Sequence, residues 1–282
     1  MTSGSMRHTG TSRRTRARPI SHVSRLFEIS SIHPSSGTLN CPDGLSVNPY
    51  KFNKTDMIDI QSPVVYSRVL QFPAEVEESI KTIRELGLPL HEDAVKNWDT
   101  QLALNICESM FSRRRAEVSV LDAGGEYYSS ILPALSVLGY GRLECLNLAF
   151  EGDERRGRIN YRRGDITKTD YPDGCFDAVL CLSVLEHGVD IGDFFVEMGR
   201  ILKPEGVLVV SVDYWIDPVD TKGQTNFGVP VKIFDGRDLS SIVAESGKNE
   251  FILAGELDLT CGRKVVHFMG MEYTFALMTF RK

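Results

Sequence analysis

The chain has 282 residues, of which 42% are hydrophobic and 25% charged, and its net charge is −6. This length and apolar content allow one full core with extensions, while the acidic balance argues against a general nucleic-acid-binding protein, whose surface must be positive to hold phosphates. No apolar run approaches the roughly 20 residues that span a bilayer, so no membrane partner is expected.

Residues 1–26 are rich in arginine, serine and threonine and contain no acidic residue. Such a composition cannot build a core, so it predicts a disordered basic tail. An organelle transit peptide has the same composition and is the alternative, as is an arm that anchors an anionic partner. The segment lacks the apolar stretch of a secretory signal peptide. The arginines are Arg7, Arg13, Arg14, Arg16, Arg18 and Arg25.

The six cysteines form no Cys-x-x-Cys pair. Cys145, Cys175 and Cys181 fall in or beside apolar runs typical of strands. This distribution is that of reduced core residues and favours neither a disulfide framework nor a zinc site. A cytoplasmic protein without a bound metal is therefore expected, with organelle targeting by the tail as the alternative.

Residues 27–90 read as an N-terminal extension that is irregular up to about residue 72 and punctuated by prolines. Val64, Val65, Tyr66 and Val69 offer one short strand. Residues 74–86 have helical spacing, with acidic residues early and Lys81 later, which suits the helix dipole.

The main domain is predicted to span residues 91–282 and to open with a helix over residues 93–111. Val95, Trp98, Leu102 and Ile106 recur on one face at steps of three and four residues. A tryptophan on such a face is more often a core residue than a ligand contact. Trp98 is nevertheless retained as a candidate cofactor contact, because Lys96-Asn97-Trp98-Asp99 is an unusually polar and aromatic cluster beside the expected pocket.

Residues 118–126 form the centre of the domain. Val118, Val120 and Leu121 predict a buried strand, Gly124 and Gly125 allow a tight turn and close approach of a ligand, and residues 127–138 have helical spacing. A strand, glycine turn and helix in this order predict a nucleotide-like ligand on the turn.

Strands and helices then alternate along the chain. This alternation predicts an α/β fold with a Rossmann-like, mainly parallel sheet covered by helices on both faces. Ligands of such sheets bind beyond the carboxyl ends of the strands. The predicted strands cover residues 143–148, 159–162, 176–182, 206–212, 251–259 and 273–280, and the predicted helices cover residues 194–202 and 237–244.

Four motifs in a fixed order carry a resemblance. They are Val120-Leu121-Asp122-Ala123-Gly124-Gly125, Gly164-Asp165-Ile166, the run from Phe176-Asp177 to Glu186-His187, and Ile201-Leu202-Lys203-Pro204-Glu205-Gly206. Over residues 90–282 the chain resembles the class I S-adenosylmethionine-dependent methyltransferases, most of all the small-molecule tailoring type. The resemblance implies a seven-stranded sheet whose last strand is antiparallel, with S-adenosylmethionine as the cofactor.

The resemblance also implies the roles of individual residues. Gly124 and Gly125 would meet the amino acid portion of the cofactor, with Asp122 ordering the turn. Asp165 and Ile166 would meet the adenine, unless Asp165 only caps its own turn. Leu182 and Ser183 would line the methionine side.

Two positions depart from the family pattern. Glu126 stands where a further glycine is common, and Asn147 stands where an acid usually binds both ribose hydroxyls. An asparagine accepts from a hydroxyl without charge assistance, so this contact is expected to be weaker. Glu126 is the candidate that substitutes for the acid. If it does not, a cofactor-binding protein without catalysis is the alternative.

Methyl transfer is an in-line displacement, so positioning supplies most of the catalysis. A base helps when the acceptor is a hydroxyl. His187 is the first candidate base, since it follows the fourth strand and imidazole titrates near neutral pH. Asp213 is the second, and the competing interpretation of His187 is that it only shapes the pocket.

The acceptor is expected to be a small molecule, with O-methylation of a sugar-like or natural-product hydroxyl favoured. Residues 213–235 and 258–271 form long connections suited to binding it. A nicotinamide-dependent dehydrogenase is disfavoured because Gly-x-Gly-x-x-Gly is absent. A macromolecular methyltransferase that uses the basic tail on RNA or protein stays open. The oligomeric state cannot be read from the sequence.

Overall fold

The computed structural model describes residues 66–226 and 228–282. The predicted tail, most of the predicted extension, and Val64 and Val65 lie outside these residues. The helices are α1 (Pro73–Glu85), α2 (Lys96–Phe111), α3 (Ile131–Leu138), α4 (Ile191–Ile201) and α5 (Gly236–Lys248). The strands are β1 (Arg68–Val69), β2 (Ser119–Ala123), β3 (Arg142–Asn147), β4 (Glu154–Arg156), β5 (Ile159–Arg163), β6 (Phe176–Leu182), β7 (Leu202–Tyr214), β8 (Thr225–Asn226), β9 (Val229–Pro230), β10 (Ile252–Leu253), β11 (Val266–Phe268) and β12 (Met271–Arg281).

Within the described residues, ten strands form one mixed sheet in the order β1-β12-β7-β6-β2-β3-β5-β4, and β10 and β11 also pair with β12. The pairs of β2 with β3, β2 with β6, β3 with β5, and β6 with β7 are parallel, whereas β12 is antiparallel to β7. The predicted fold class is confirmed. The seven predicted strands are present, β1 overlaps the short strand predicted near Val69, and β4 and β11 are short additions.

Three predicted elements differ in extent. The helix expected over residues 127–138 begins only at Ile131, because the turn continues and the Glu126 amide donates to Ser129 Oγ at 3.0 Å. The strand expected at residues 206–212 extends over Leu202–Tyr214. The strand expected at residues 251–259 pairs only over Ile252–Leu253, because the chain turns at Gly255, where φ is +78°.

The central strand β6 explains the long apolar run in the sequence. Ala178 and Leu180 face one core cluster, which includes side chains of α2 and α3, whereas Val179 and Cys181 face a second cluster with side chains of α4 and α5. All four are fully buried. Each large apolar side chain buried in this way contributes about 2 kcal/mol to stability, so the two helical layers hold the sheet from both faces.

An ion-pair cluster anchors the amino ends of the central strands. Asp177 of β6 is 3% exposed and accepts from Lys203 Nζ at 2.7 Å, from Arg114 Nη1 at 2.9 Å and from the Ser119 amide at 2.9 Å. Asp177 and Lys203 belong to two of the sequence motifs. These motif residues therefore brace the sheet at the end opposite the predicted ligand edge.

The residues before the main domain are joined to its sheet. Arg68 pairs with Leu277 and Val69 with Ala276, and Thr274 Oγ1 donates to the Leu70 carbonyl at 2.7 Å. The described residues accordingly belong to one compact unit. Among the helices of the described part of the chain, none is long and apolar enough to cross a bilayer.

Candidate functional site

A cleft of about 580 Å³ opens at the carboxyl ends of β2, β3 and β6. The strand order reverses here, because β3 lies on one side of β2 and β6 on the other. This is the place where open α/β sheets bind ligands. The predicted site residues that line the cleft are Gly124, Gly125, Glu126, Asn147, Asp165, Ile166, Leu182, Ser183 and His187.

The glycine turn leaves no room for side chains. Gly124 has φ +88°, and a Cβ on it would lie 2.4 Å from Val184 Cγ1. A Cβ on Gly125 would lie 2.0 Å from Asp122 Oδ2. Only glycine allows this backbone to approach both the buried Asp122 and a ligand in the cleft.

Asn147 ties the glycine turn together. Its Nδ2 donates to the carbonyls of Gly124 and Gly125, each at 3.0 Å, and lies 3.2 Å from Glu126 Oε1, while its Oδ1 accepts from the Ala149 amide at 2.8 Å. An acid at this position would bring a carboxylate against two carbonyls and a second carboxylate. The asparagine therefore suits the turn, and its polar atoms already have protein partners.

Glu126 projects into the cleft beside Asn147. Burial raises the pKa of its carboxyl, and the bond from Asn147 opposes this effect. Its contact with Asn147 involves Oε1. Glu126 is thus the carboxylate that the turn presents toward a ligand.

Asp165 caps the turn that follows β5. Its Oδ1 accepts from the Thr167 amide at 2.8 Å and from the Thr167 hydroxyl at 2.7 Å. This is the turn-capping role that was the alternative interpretation. Capping and ligand binding are compatible, because these bonds use Oδ1 and because Asp165, Ile166 and Thr167 all line the cleft.

Ser183 terminates β6 in a strained conformation with φ +54°. Its amide donates to the Ser211 carbonyl at 2.9 Å, and its hydroxyl accepts from Lys96 Nζ. Lys96 also donates to Asp99 Oδ2 at 3.0 Å. The start of α2 is therefore fastened to the end of β6 through a buried polar contact.

Lys96 is charged in spite of its burial. Burial alone lowers its pKa, but the carboxylates of Asp99, Glu186 and Asp213 raise it above the usual value. Lys96 lines the cleft. It places one fixed positive charge at the end of the site nearest the glycine turn and Ser183.

Three carboxyl groups near Lys96 have raised pKa values. Burial raises the pKa of Asp122 to about 7, and the negative charges of Asp99 and Glu126 add to this. Burial raises the pKa of Asp213 to about 6 against the effect of Lys96. Burial and the charge of Asp213 raise the pKa of Glu186 well above its usual value, and Glu186 Oε1 accepts from the Asp213 amide at 3.3 Å.

His187 ends a short 3-10 helix, Leu185–His187, directly after β6. It lines the cleft, and burial together with the charge of Lys96 lowers its pKa below 6.5. The imidazole is therefore neutral at neutral pH and able to accept a proton.

Three predicted site residues do not line the cleft. Trp98 is 1% exposed and packs in the core cluster of α2 and α3. Asp122 lies beneath Gly125, and Asp213 contacts Glu186 and Tyr273 near the end of β7. Trp98 follows the core interpretation of its helical spacing, while Asp122 and Asp213 act on the cleft from behind its wall.

Several lining residues were not among the sequence candidates, including His91, Lys96, Tyr128 and Thr167. His91 and Lys96 precede β2 and reach the cleft only through the packing of α2. Thr167 and Tyr128 could have been predicted from the sequence, because each lies within three residues of one of the four motifs.

Comparison with known proteins gives the family of the central segment. Residues 142–210 match the model of the methyltransferase domain family. The chain is 25% identical over 128 residues to a ubiquinone biosynthesis O-methyltransferase of Rickettsia conorii, a match that covers 36% of this chain and 44% of that protein. The Rickettsia akari protein of the same name is 24% identical over 182 residues, covering 53% of this chain and 71% of that one.

A similar solved structure is the 1,6-didemethyltoxoflavin-N1-methyltransferase of Burkholderia thailandensis, with a TM-score of 0.47 and 18% identity over 76% of this chain and 91% of that one. The chain spans about half the length of the curated relatives it matches, from 44% to 71% for the first three. The family match confirms the resemblance predicted from the motifs.

Proposed function

We propose that this chain, whose residues 142–210 match the model of the methyltransferase domain family, is an S-adenosylmethionine-dependent methyltransferase acting on a small molecule. The carrying observation is the glycine turn at the end of β2, which excludes any Cβ and forms the wall of a cleft at the point where the sheet reverses. Among acceptors, we favour a hydroxyl of a sugar-like or natural-product molecule.

The cleft residues fit the cofactor. A volume of about 580 Å³ lies within the range of small-molecule sites. Gly124 and Gly125 leave space for an amino acid portion, Glu126 is positioned to accept from hydroxyls, and Asp165 with Ile166 suits an adenine edge. When bound, the cofactor supplies an electrophilic methyl group on a sulfonium.

His187 accepts the proton in this proposal. When the acceptor hydroxyl attacks the methyl group that the bound cofactor would supply, its proton would pass to the neutral imidazole of His187. The lowered pKa of His187 keeps it in the accepting form. Asp213, held near Tyr273 and Glu186, acts behind the cleft wall and is the second candidate.

Two other functions are distinguished by experiment. A cofactor-binding protein without catalysis is favoured by one observation, the use of Asn147 to tie the turn, which removes the usual ribose acid. A macromolecular methyltransferase would require a use for the basic residues 1–26. The cytoplasmic setting expected from the cysteines is retained as part of the proposal.

Calorimetry with S-adenosylmethionine, S-adenosylhomocysteine and NAD tests the proposal first. Binding of the first two with no response to NAD supports it, and NAD binding alone refutes it. A screen of hydroxylated small molecules, followed by mass detection of a one-methyl gain, then identifies the acceptor. Cofactor binding without turnover on small molecules, RNA or protein would support the non-catalytic alternative.

We expect His187→Gln to lower kcat by about 100-fold, since general base catalysis contributes at least that much, while the affinity for S-adenosylhomocysteine changes little. The pKa of His187 lies below 6.5, so kcat/KM of the parent should decrease as the pH falls through that value. The variant should not show this decrease.

His91→Gln is the matched control for His187. His91 also lines the cleft, and burial also lowers its pKa, but its Nδ1 already accepts from the Asp93 amide at 3.0 Å. Equal losses in the two variants, or an unchanged pH profile for His187→Gln, would remove His187 as the base.

A further inference from the structure

An acidic cluster lies directly behind the cleft, among residues of α2, β2, β7 and the 3-10 helix. Asp99, Asp122 and Glu186 are each at most 2% exposed, and Asp213 stands beside Glu186. These four carboxyl groups are called the acidic floor below.

The acidic floor is in contact with the lining of the cleft. Asp122 Oδ2 lies so close to Gly125 that a Cβ there would be 2.0 Å away. Asp99 holds Lys96 at 3.0 Å and Ser211 Oγ at 2.8 Å, and Lys96 contacts Ser183. Gly125, Lys96 and Ser183 all line the cleft. Asp122 and Asp99 are therefore each in direct contact with a residue that lines the cleft.

Two oxygens of the acidic floor are left without partners. Among the described residues, neither Asp122 Oδ2 nor Glu186 Oε2 has a hydrogen-bond donor, although both are buried. A buried carboxylate oxygen without a partner is costly. Such a carboxyl group is stabilised either by holding a proton or by a positive charge that comes close to it.

The charges near the acidic floor do not balance. Lys96 is the one lysine or arginine among the described residues that line the cleft, and Asp99 already pairs with it. The other titratable groups that face Lys96 or the acidic floor are acidic or uncharged at neutral pH. They are His91, Asp93, Glu126, Tyr128, Cys145, Tyr161, Cys181, His187 and Tyr273.

We propose that the acidic floor makes this site selective for a ligand that carries a positive charge, so that it binds the sulfonium donor S-adenosylmethionine more tightly than the thioether product S-adenosylhomocysteine. This inference rests on the proposed function. Both ligands share the adenosine and the amino acid end, and they differ only in the methyl group and the charge on sulfur. Selectivity of this kind promotes product release and exchange for the donor.

The selectivity depends on pH with a definite sign. Asp122, Glu186 and Asp213 have raised pKa values, so they hold part of their protons near neutrality. A bound cation favours the ionised carboxylates and drives protons off. The affinity for the sulfonium should therefore rise as pH increases through about 6 to 7, whereas the affinity for the thioether should change much less.

Calorimetry with both ligands at about pH 6 and about pH 8, in buffers of different ionisation enthalpy, tests this inference. At the higher pH we expect the donor to bind about tenfold more tightly than the product, with the ratio falling to about threefold at the lower pH. Proton release should accompany the donor alone.

A ratio of one or less at both pH values overturns the inference and leaves the proposed function intact if both ligands bind. If neither ligand binds, the proposed function and the inference are refuted together. Equal proton release with both ligands also overturns the inference, because the charge on sulfur would then have no part in it.

Variants separate the acidic floor from general damage. Asp122→Asn and Glu186→Gln, each checked for an unchanged thermal unfolding midpoint, should move the donor-to-product ratio toward one and reduce proton release. If one of them does not fold, the other carries the test. Asp165→Asn removes a carboxylate that lines the cleft but is not part of the acidic floor. It should weaken the binding of both ligands by the same factor and leave the ratio of donor affinity to product affinity unchanged.

Discussion

At the scale of single residues, Asn147 and Glu126 act as a pair. The amide of Asn147 is turned toward the carbonyls of Gly124 and Gly125 and toward Glu126 Oε1. The sequence predicted that Glu126 substitutes for the missing acid, and the contact with Asn147 gives this prediction a physical basis. The carboxylate of Glu126 can accept charge-assisted hydrogen bonds from hydroxyl groups, whereas the neutral amide of Asn147 cannot.

We expect Glu126→Gln to reduce the preference for the ribose hydroxyls. The glutamine Oε1 can keep the bond from Asn147, so only the charge is lost, and S-adenosylhomocysteine should bind about fivefold more weakly. Its 2′-deoxy analogue keeps only the 3′-hydroxyl, so the variant should weaken its binding by a smaller factor. Calorimetry on both ligands measures the difference.

Asp165→Asn is the matched control at the other side of the cleft. It should weaken S-adenosylhomocysteine and the 2′-deoxy analogue by the same factor, since it is assigned to the adenine. If Glu126→Gln also weakens both ligands equally, Glu126 only supports the turn and does not meet the ribose.

At the scale of elements, the four sequence motifs do two different jobs. The residues around Gly124 and Asp165 line the cleft, whereas the buried Asp177 pairs with the partly exposed Lys203 at the opposite end of β6 and β7. Burial alone raises the pKa of Asp177, but the bonds from Lys203, Ser119 and Arg114 outweigh it and hold the pKa below 3.8. The cluster therefore stabilises the fold and has no contact with a ligand.

We expect Asp177→Asn to destabilise the protein by about 2 kcal/mol at neutral pH, because the hydrogen bonds that the buried Asp177 accepts from Lys203, Arg114 and the Ser119 amide lose the carboxylate charge. A carboxyl with a depressed pKa contributes stability above its unfolded pKa and loses it as pH falls through its folded value. The difference between parent and variant should therefore shrink below about pH 4. Urea unfolding at several pH values measures it.

Asp173→Asn is the control for the ion-pair cluster. Asp173 pairs with Arg200 at 2.7 Å, but its side chain is 83% exposed. Its loss should cost less than about 1 kcal/mol. A similar cost for the two variants at neutral pH would contradict the role assigned to Asp177.

The elements with strong periodicity were predicted well, and the element ends were not. The sequence predicted β6 from its continuous apolar run, which is typical of a strand covered on both faces. It predicted α2 from apolar residues that recur at helical spacing. The start of α3 was wrong because Ser129 bonds back to Glu126. Beyond β10, Leu257 and Leu259 pack on the core from an irregular segment, so their apolar pattern looks like a strand without forming one.

At the scale of the whole molecule, the site was predictable only where its residues follow a strand. The rule for carboxyl ends of strands located the glycine turn, Asp165 and His187. It could not locate His91, which precedes α2. Lys96 belongs to the cluster expected beside the pocket, but its place in the lining depends on contacts with Ser183 and Phe275, which are far away in sequence. Tertiary contacts of this kind leave no local pattern.

We expect removal of residues 1–26 to leave binding of S-adenosylhomocysteine unchanged within about twofold, a difference below about 0.5 kcal/mol. The cleft is lined by residues between His91 and Asp190, and the sheet begins at Arg68. Calorimetry and thermal unfolding on the shortened and full chains provide the comparison.

Removal of residues 1–72 is the control for this deletion. It takes away β1 and the Leu70 carbonyl that accepts from Thr274, so thermal unfolding should shift to a clearly lower temperature. A tenfold loss of binding from the removal of residues 1–26 would show that the basic segment takes part in the cofactor site.

The position of β12 has a consequence for how the chain folds. This strand lies between β7 and β1, and its Thr274 bonds to Leu70 across 204 residues. Closing such a long loop is entropically expensive before any contact rewards it. Until β12 inserts, the apolar edge of β7 is an open template for other chains. Refolding should therefore be slow and should lose yield as protein concentration rises.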